Sequence, residues 1–340
     1  MGEKKMKNKE DLLQLIKNKK VLYVATKNDS YIRVSQEVEL IKKESECYTI
    51  ITSNKRNYIE RVIEIYLKLL FLSTKKYDVV FVGFMAQMII PVFFWKFRHC
   101  KIVTDFFISI YDTLVFDRKK IKQGTLVAHF LKWIDCLTIK KSKYLIADTK
   151  AHADFFSEEF DVQKENIFVY YLKADTSIYH PMIVKRKKKF LNKFIVLYFG
   201  SILPVQGVEV VMDAIRLLQS QKDIHFIIIG PIGKKINKVV SDAVTYIDWV
   251  DQNILAKNIA MADLCLGGHF SDTVNKANRT IPGKVYIYQA MGKKIILGAS
   301  DANRELFCET DKDILFVEMG NPKKLAEVIQ NVRDESRKGA

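Results

Sequence analysis

The residues best suited to chemistry are glycines and basic side chains in the second half of the chain. A Val- and Ile-rich run over Phe194–Phe199 predicts a buried strand, and this strand leads to Gly200. At Gly200 the missing Cβ lets a phosphate approach the backbone. A helix is expected to begin near Gly207, with its free N–H groups facing the same crevice. A strand, a glycine turn and a helix start in this order form a cradle for an anion.

A second cationic segment follows at Asn278–Lys284, where Arg279 and Lys284 lie on either side of a proline. Pro282 suits the first turn of a helix, which Gly292 ends before the next buried strand. A lysine in this turn has the wrong sign for the helix dipole, so Lys284 calls for a compensating anion. A bound diphosphate would supply it, although a solvated lysine is the simpler alternative. The combination with Arg279 favours phosphate binding.

Two series of short Val- and Ile-rich runs alternate with helical patterns along the chain. Such alternation predicts βαβ units and parallel sheets, hence an α/β protein with two Rossmann-like halves. The like-charged block Lys185–Lys189 cannot pack into a core and marks the linker between them. We therefore place an N-terminal domain at residues 1–182 and a C-terminal domain at residues 183–340. The predicted strands are Val21–Thr26, Tyr48–Thr52, Val79–Val82, Lys101–Phe106, Tyr144–Ala147, Ile167–Tyr171, Phe194–Phe199, His225–Ile229, Thr245–Ile247, Leu264–Leu266, Lys294–Leu297 and Ile314–Val317.

Charge and cysteine usage narrow the class of protein. The chain carries 55 Lys and Arg against 39 Asp and Glu, a formal charge of +16 that favours anionic partners. Nucleic acid is a poor fit, because no aromatic side chains are interleaved with the basic block Lys185–Lys189. The five cysteines include no C-x-x-C pair, which argues against structural zinc or a disulfide framework and indicates a reducing cytoplasm. Residues 1–20 predict a charged surface helix rather than a secretory signal.

One apolar stretch, Val79–Trp95, has 17 residues without a charge. That length is close to the lower limit for a membrane span. Gly83, Gln87 and Pro91 interrupt the stretch. The favoured interpretation is a buried parallel strand that runs into an apolar helix.

Six segments of the second half resemble, in their order and spacing, the retaining glycosyltransferases of the GT-B fold, family four. The likeness is greatest to a bacterial and archaeal surface-polysaccharide branch, whose members read Y-G-T-F-x-P-L-x-G-V-E and R-x-I-P-N-K-V at two of these places. The resemblance implies two Rossmann-like domains that face each other across a cleft. It also implies a retaining sugar transfer with no obligate metal and no other cofactor. The six segments are Gly200–Ala214, Ile227–Gly230, Tyr246–Val250, Ile259–Gly268, Arg279–Lys284 and Asn303–Leu306.

The resemblance assigns the donor site to the second half. Transfer from a nucleoside diphosphate sugar leaves negative charge on the departing phosphate, which Arg279, Lys284 and the N–H groups at Gly200 and Ser201 would stabilise. The donor-binding candidates are Gly200, Ser201, Gln206, Gly207, Gly230, Trp249, Ile281, Ile287 and Glu305.

The resemblance assigns the acceptor site to the first half, through looser matches at Thr104–Arg118 and Ala147–Phe156. Asp105 becomes a candidate for contacting the transferred sugar or the acceptor, with a simple helix cap as the alternative. Arg33 and Asp112 are further acceptor-side candidates.

The chain departs from the family pattern at several donor-side positions. Many members carry Arg and Lys where this chain has Ser201 and Gln206. Ile287 stands where the family usually has a glutamate that binds the ribose hydroxyls. Because an aliphatic side chain accepts no hydrogen bond, this change is expected to cost about 1.5 to 3 kcal/mol of donor binding. The D-x-D at Asp311–Asp313 precedes a predicted strand and is interpreted as a solvated loop.

These observations lead to three functional hypotheses. The first is transfer of a hexose from a UDP- or GDP-sugar to a glycan or lipid-linked acceptor, in surface polysaccharide or glycolipid synthesis. Peripheral contact with an anionic membrane is suggested by Phe93–Arg98, although an ordinary helix end has the same composition. The second hypothesis, motivated by Ile287, is a non-catalytic partner that stabilises another glycosyltransferase. The third is a sugar-nucleotide epimerase with the same fold.

Overall fold

The computed structural model describes residues 6–232 and 236–338. The chain divides into two compact units, Met1–Leu172 and Lys173–Ala340. The sequence places the boundary slightly later, between residues 182 and 183, in the segment that carries the basic block. The side chains of Lys185 and Lys187–Lys189 are exposed, as expected of a like-charged segment.

All of the strand predictions are confirmed, with ends that shift by one or two residues. Because most of the runs are apolar and several of the strands, such as Val79–Val82, Ile224–Ile229 and Ile295–Gly298, are buried on both faces, the sequence signal is strong. Strands of the first unit are β1 (Lys20–Val24), β2 (Cys47–Ile51), β3 (Val79–Val82), β4 (Lys101–Asp105), β5 (Tyr144–Ala147) and β6 (Ile167–Val169). Those of the second unit are β7 (Phe194–Phe199), β8 (Ile224–Ile229), β9 (Val244–Ile247), β10 (Leu264–Leu266), β11 (Ile295–Gly298) and β12 (Ile314–Val317).

Helices connect the strands, and side-chain caps fix several of their starts. Asn57, Thr125, Thr149 and Ser300 each accept a hydrogen bond from a backbone N–H of the helix that follows, as N-cap residues do. The helices are α1 (Lys9–Ile16), α2 (Ile32–Glu44), α3 (Tyr58–Phe71), α4 (Ile90–Phe97), α5 (Ile110–Asp112), α6 (Leu126–Lys141), α7 (Lys150–Phe160), α8 (Val208–Leu218), α9 (Gln252–Met261), α10 (Lys276–Arg279), α11 (Gly283–Ala290), α12 (Asp301–Leu306) and α13 (Pro322–Lys338).

Each unit contains one parallel sheet of six strands within the described part of the chain. The order in the first sheet is β2-β1-β3-β4-β5-β6, and in the second it is β12-β11-β10-β7-β8-β9. The chain direction across the sheet reverses between β1 and β3 in the first unit, and between β7 and β10 in the second. Ligands of open α/β sheets bind at the carboxyl ends of the strands at such reversal points. The topology therefore directs attention to the loops after β7 and β10, and to those after β1, β3 and β4.

The apolar stretch Val79–Trp95 has the predicted form, because it contains the buried strand β3 and most of helix α4. Phe93 and Phe97 pack beneath the sheet with Val80 and Val82. Within residues 6–232 and 236–338, no helix combines the length and the apolar character needed to cross a bilayer. The N-terminal helix prediction is met by α1 over Lys9–Ile16, whereas residues 1–5 lie outside the described part.

Candidate functional site

The second unit gathers its predicted phosphate ligands at the reversal point between β7 and β10. Gly200 follows β7 and has a φ of +139°. A Cβ at this position would lie 3.0 Å from Cε and 3.1 Å from Nζ of Lys284. Gly268 follows β10 with a φ of +86°, and a Cβ there would lie 2.8 Å from the same Nζ. Both positions require glycine, and together the two loops leave the Lys284 ammonium a narrow space between them.

Lys284 is the charged centre of this cluster. Its side chain is only 6% exposed, and Nζ donates a hydrogen bond to Oε1 of Gln206 at 2.5 Å. Nζ also lies 4.2 Å from the centre of the Tyr198 ring, a cation–π contact. Among the described residues no carboxylate forms a salt bridge with Lys284. Burial lowers the pKa of Lys284 to about 7, because an ammonium loses its hydration there without gaining a countercharge.

An anion at this site would supply the missing countercharge. Lys284 lies in the first turn of α11, where the helix dipole adds positive potential. α8 begins at Val208 with Gly207 as its N-cap, which confirms the predicted helix start. The geometry therefore suits a diphosphate bound between the Gly200 loop and the start of α11.

The other donor-side candidates of the second unit differ in their burial. Gly230 directly follows β8 and packs against Gly200, since a Cβ on Gly230 would lie 2.1 Å from the Gly200 carbonyl oxygen. Trp249 follows β9 and is 74% exposed, available to stack on a base. Ile281 and Ile287 are buried, at 5% and 9% exposure. The remaining candidates are the exposed Ser201, the half-buried Arg279 at the end of α10 and the half-buried Glu305 in α12.

Two residues of the cluster were not among the predicted site residues. Tyr198 is fully buried in β7 and contacts Lys284 through its ring. Gly268 closes the cradle from the β10 side. The adjacent glycines Gly267 and Gly268 directly after a buried strand were a usable sequence signal, whereas nothing in the pattern of β7 distinguishes Tyr198 from its apolar neighbours.

In the first unit, Asp105 and Arg33 form a buried ion pair. Asp105 is the last residue of β4, and its two carboxylate oxygens accept hydrogen bonds from Nε and Nη2 of Arg33 at 2.9 and 2.8 Å. Nη1 of Arg33 donates to the carbonyl oxygen of Tyr170 at 2.7 Å. Both side chains are almost completely buried. Asp105 thus holds a cation instead of capping a helix, and it positions the start of α2 against β4.

Further acidic groups extend this pair into a network that the sequence did not predict. Glu37 approaches Arg33 at 3.6 Å and accepts a hydrogen bond from the Tyr23 hydroxyl at 2.6 Å. Burial, with the nearby charge of Asp105, raises the pKa of Glu37 well above its ordinary value. The remaining acceptor-side candidate, Asp112, lies buried in the short helix α5.

A second pair of ionisable groups lies at the carboxyl end of β5. Nδ1 of His152 contacts Oδ1 of Asp148 at 2.5 Å, and the imidazole is buried against the Phe156 ring. The charges of His152 and Arg33 lower the pKa of Asp148 despite its burial. The carboxyl edge of the first sheet is therefore rich in charged groups, as the edge of a binding domain would be.

Comparison with known proteins finds a family model that matches most of the second unit. Residues 193–335 match the family model described as Glycosyl transferases group 1. The matched region contains the Gly200 loop, Gln206 and the whole of α11. No curated protein matches the chain by sequence. The match supports the prediction of a transferase and lies in the unit that contains the Lys284 cluster.

Solved structures show the same fold over nearly the whole chain. The Anabaena protein HepE, solved in complex with UDP and glucose, is 13% identical with a TM-score of 0.63, over 94% of this chain and 91% of that one. Sucrose-phosphate synthase from Thermosynechococcus elongatus is 10% identical with a TM-score of 0.66, over 93% and 90% of the two chains. An E. coli structure described as trehalose-6-phosphate bound with UDP-2-fluoro glucose is 11% identical with a TM-score of 0.62, over 92% of this chain and 91% of that one. The predicted GT-B fold is confirmed.

Proposed function

We propose that this protein transfers a hexose from a UDP- or GDP-sugar to a glycan or lipid-linked acceptor, with retention at the anomeric carbon. The observation that carries the proposal is the buried Lys284, held by Gln206 and Tyr198 between the Gly200 and Gly268 loops. The family match covers this region, and the similarity to HepE in complex with UDP and glucose favours a UDP donor.

The chemistry of the step follows from the charge that develops on the leaving group. When the bond from the sugar to the diphosphate breaks, the departing phosphate oxygen gains negative charge. Lys284 faces that charge as an ammonium, because a bound diphosphate favours its protonated form over the neutral amine. Arg279 and the backbone N–H groups after β7 add further stabilisation in this proposal. The cations and N–H groups take the part that a metal plays in metal-dependent transferases, and we expect activity to persist in excess chelator.

The acceptor side is proposed to lie at the carboxyl edge of the first sheet. The ion pair between Arg33 and Asp105 fixes α2 and β4 there, and Asp112 lies in α5, the short helix that follows β4. We expect the protein in the cytoplasm, in contact with the inner face of the membrane, where precursors of surface polysaccharides and glycolipids are assembled.

A product assay tests this function directly. The purified protein is incubated with UDP- and GDP-hexoses and a panel of free and lipid-linked oligosaccharides, and glycosylated product is measured by mass spectrometry. Transfer by the wild-type chain, its loss in Lys284→Met and an unchanged anomeric configuration by NMR are the expected results. Nucleotide binding without any transfer would support a non-catalytic partner instead. Conversion of the donor sugar without an acceptor would support an epimerase.

A further inference from the structure

Three neighbouring helices of the first unit expose an unusual amount of apolar surface. Helices α3, α4 and α6 direct large side chains away from the sheet, with Phe71 84% and Leu126 89% exposed. We call this set the outer apolar face. Its members are Ile59, Ile63, Leu67, Leu70 and Phe71 of α3, Val92 and Trp95 of α4, and Leu126, Val127, Phe130 and Trp133 of α6.

The apolar residues of α3 are arranged on two sides of the helix. Ile65 and Leu69 are buried in the core beneath the sheet. Ile59, Ile63 and Leu67 follow one another at four-residue spacing and therefore share the opposite side. A surface helix normally presents polar residues there. The second apolar side of α3 is thus unused by the fold of this unit.

The three helices make a continuous surface. The rings of Tyr66 in α3 and Phe93 in α4 meet edge to face at 5.0 Å. Lys96 of α4 donates hydrogen bonds to the carbonyl oxygens of Leu69 and Leu70 at 2.7 and 2.6 Å. On the other side of α4, the Lys141 ammonium lies 4.5 Å from the ring of Phe94. Helix α4 thus contacts both α3 and α6, and the exposed apolar residues belong to three helices packed side by side.

Cationic charge dominates the α4 and α6 part of this patch, from Ile90 to Lys143, whereas α3 adds the exposed Glu60 and a Glu64–Lys68 ion pair. The stretch has 11 Lys and Arg, and its 4 acidic residues, Asp105, Asp112, Asp117 and Asp135, are all buried. The exposed cations include Arg98, Lys140 and Lys141. Lysine is depleted from protein–protein interfaces. Exposed Trp, Phe and Leu beside Lys and Arg are typical of helices that lie in the interface of an anionic bilayer.

We propose that the outer apolar face docks on the surface of a bilayer that contains anionic lipid. The exposed side chains of α3 and α6 enter the boundary between head groups and acyl chains, and the surrounding Lys and Arg contact lipid phosphates. This docking surface extends the proposed function. It rests on that function for one point, the lipid-linked acceptor that the docked protein would reach in the bilayer. The surface itself is a property of the first unit.

Vesicle sedimentation tests the proposal on the full chain. Vesicles of phosphatidylcholine alone are compared with vesicles that contain phosphatidylcholine and phosphatidylglycerol in equal amounts. One variant carries Leu67→Gln and Phe71→Gln, and a second carries Phe130→Gln and Trp133→Gln. The matched control carries Leu217→Gln and Val240→Gln, two exposed apolar positions of the second unit. Circular dichroism and UDP titration of each preparation monitor folding and the donor site separately.

The wild type and the control are expected to sediment with the anionic vesicles, and each double variant is expected to partition at least ~10-fold more weakly. Added salt should weaken binding in all cases. The proposal would be overturned if the α3 and α6 variants bound as tightly as the wild type, if the wild type bound neutral and anionic vesicles equally, or if it bound neither at low salt. So would self-association that both variants abolish, because a second copy would then cover the face. Vesicle binding by a chain that binds neither UDP nor GDP would refute the proposed function and leave the docking surface intact.

Discussion

Nζ of Lys284 donates a hydrogen bond to Oε1 of Gln206 across 78 residues of sequence. A neutral amide in this place satisfies the ammonium geometrically but contributes no opposite charge. The same amide stands where many relatives of the resembled family carry a lysine. Lys284 is therefore a buried cation prepared for an anionic ligand, and several consequences follow for binding and stability.

Replacement of Lys284 by methionine should separate binding from folding. The variant keeps the length of the side chain and removes the charge that a diphosphate would contact. We expect affinity for UDP to fall by at least ~10-fold, since a charge-assisted hydrogen bond is worth about 1.5 to 3 kcal/mol. Thermal stability without ligand should stay the same or rise, because a buried unpaired charge is removed. Calorimetric titration and thermal denaturation measure the two effects.

The stability of the protein should depend on pH through Lys284. Its pKa in the folded state is about 7, below the ordinary lysine value near 10.4. Between these values the unfolded chain binds more protons, so the free energy of unfolding rises with pH by at most about 1.4 kcal/mol per unit. As the pH falls through 7, Lys284 becomes protonated in the folded state as well, and the stabilising contribution of its neutral form is lost. Urea titrations at several pH values should show the slope in the wild type and a smaller one in Lys284→Met.

Donor binding should take up a proton. At pH 8 most Lys284 side chains are neutral in the free protein, whereas a bound diphosphate favours the ammonium. Calorimetry in two buffers of different ionisation enthalpy should report an uptake on the order of one proton per UDP. The proton uptake should disappear in Lys284→Met, even if this variant still binds UDP measurably. Equal enthalpies in both buffers for the wild type would show that Lys284 does not contact the ligand.

The exposed Trp249 offers a test of base recognition that leaves the fold undisturbed. Stacking of a base on an aromatic ring is worth about 1 to 3 kcal/mol by alanine substitution. Trp249→Ala should weaken UDP binding by that amount with no change in melting temperature. Trp133→Ala changes another exposed tryptophan, in the first unit, and serves as the control that should bind UDP normally.

Ile287 is the position at which donor affinity is expected to have been lost. A carboxylate there would accept hydrogen bonds from the ribose hydroxyls, so Ile287→Glu should raise nucleotide affinity by about 10- to 150-fold. The free variant should melt at a lower temperature because a charge is added at a site only 9% exposed. Ile287→Leu serves as the control for volume. If the two variants bind alike, Ile287 does not face the ribose.

The buried ion pair between Arg33 and Asp105 should respond to single and double substitutions in different ways. Asp105→Asn leaves an Arg33 guanidinium without its bidentate partner and should cost about 3 to 5 kcal/mol of stability. Arg33→Met with Asp105→Leu removes both charges and should recover most of this loss. Urea denaturation of Arg33→Met, Asp105→Leu and the double variant gives the coupling free energy. Additive effects would show that the pair does not position α2.

The sequence predicted the scaffold well because its signals are local. Continuous Val and Ile runs such as Phe194–Phe199 have few structural interpretations, and Gly200, Gly207 and Gly292 mark the ends of elements. Long-range contacts carry no such signal. Gln206 and Lys284 were both singled out, but nothing in their spacing predicts that they touch. Nor does the composition of α3 reveal which of its two apolar sides the sheet covers.

Binding of nucleoside diphosphates to the purified chain is the most direct test of the central claim, that the Gly200, Gly268 and Lys284 cluster holds the diphosphate of a sugar donor. Calorimetric titration with UDP, GDP and their hexose derivatives should give saturable binding to at least one, weakened by Lys284→Met. A folded wild-type chain that binds none of these ligands would contradict the account.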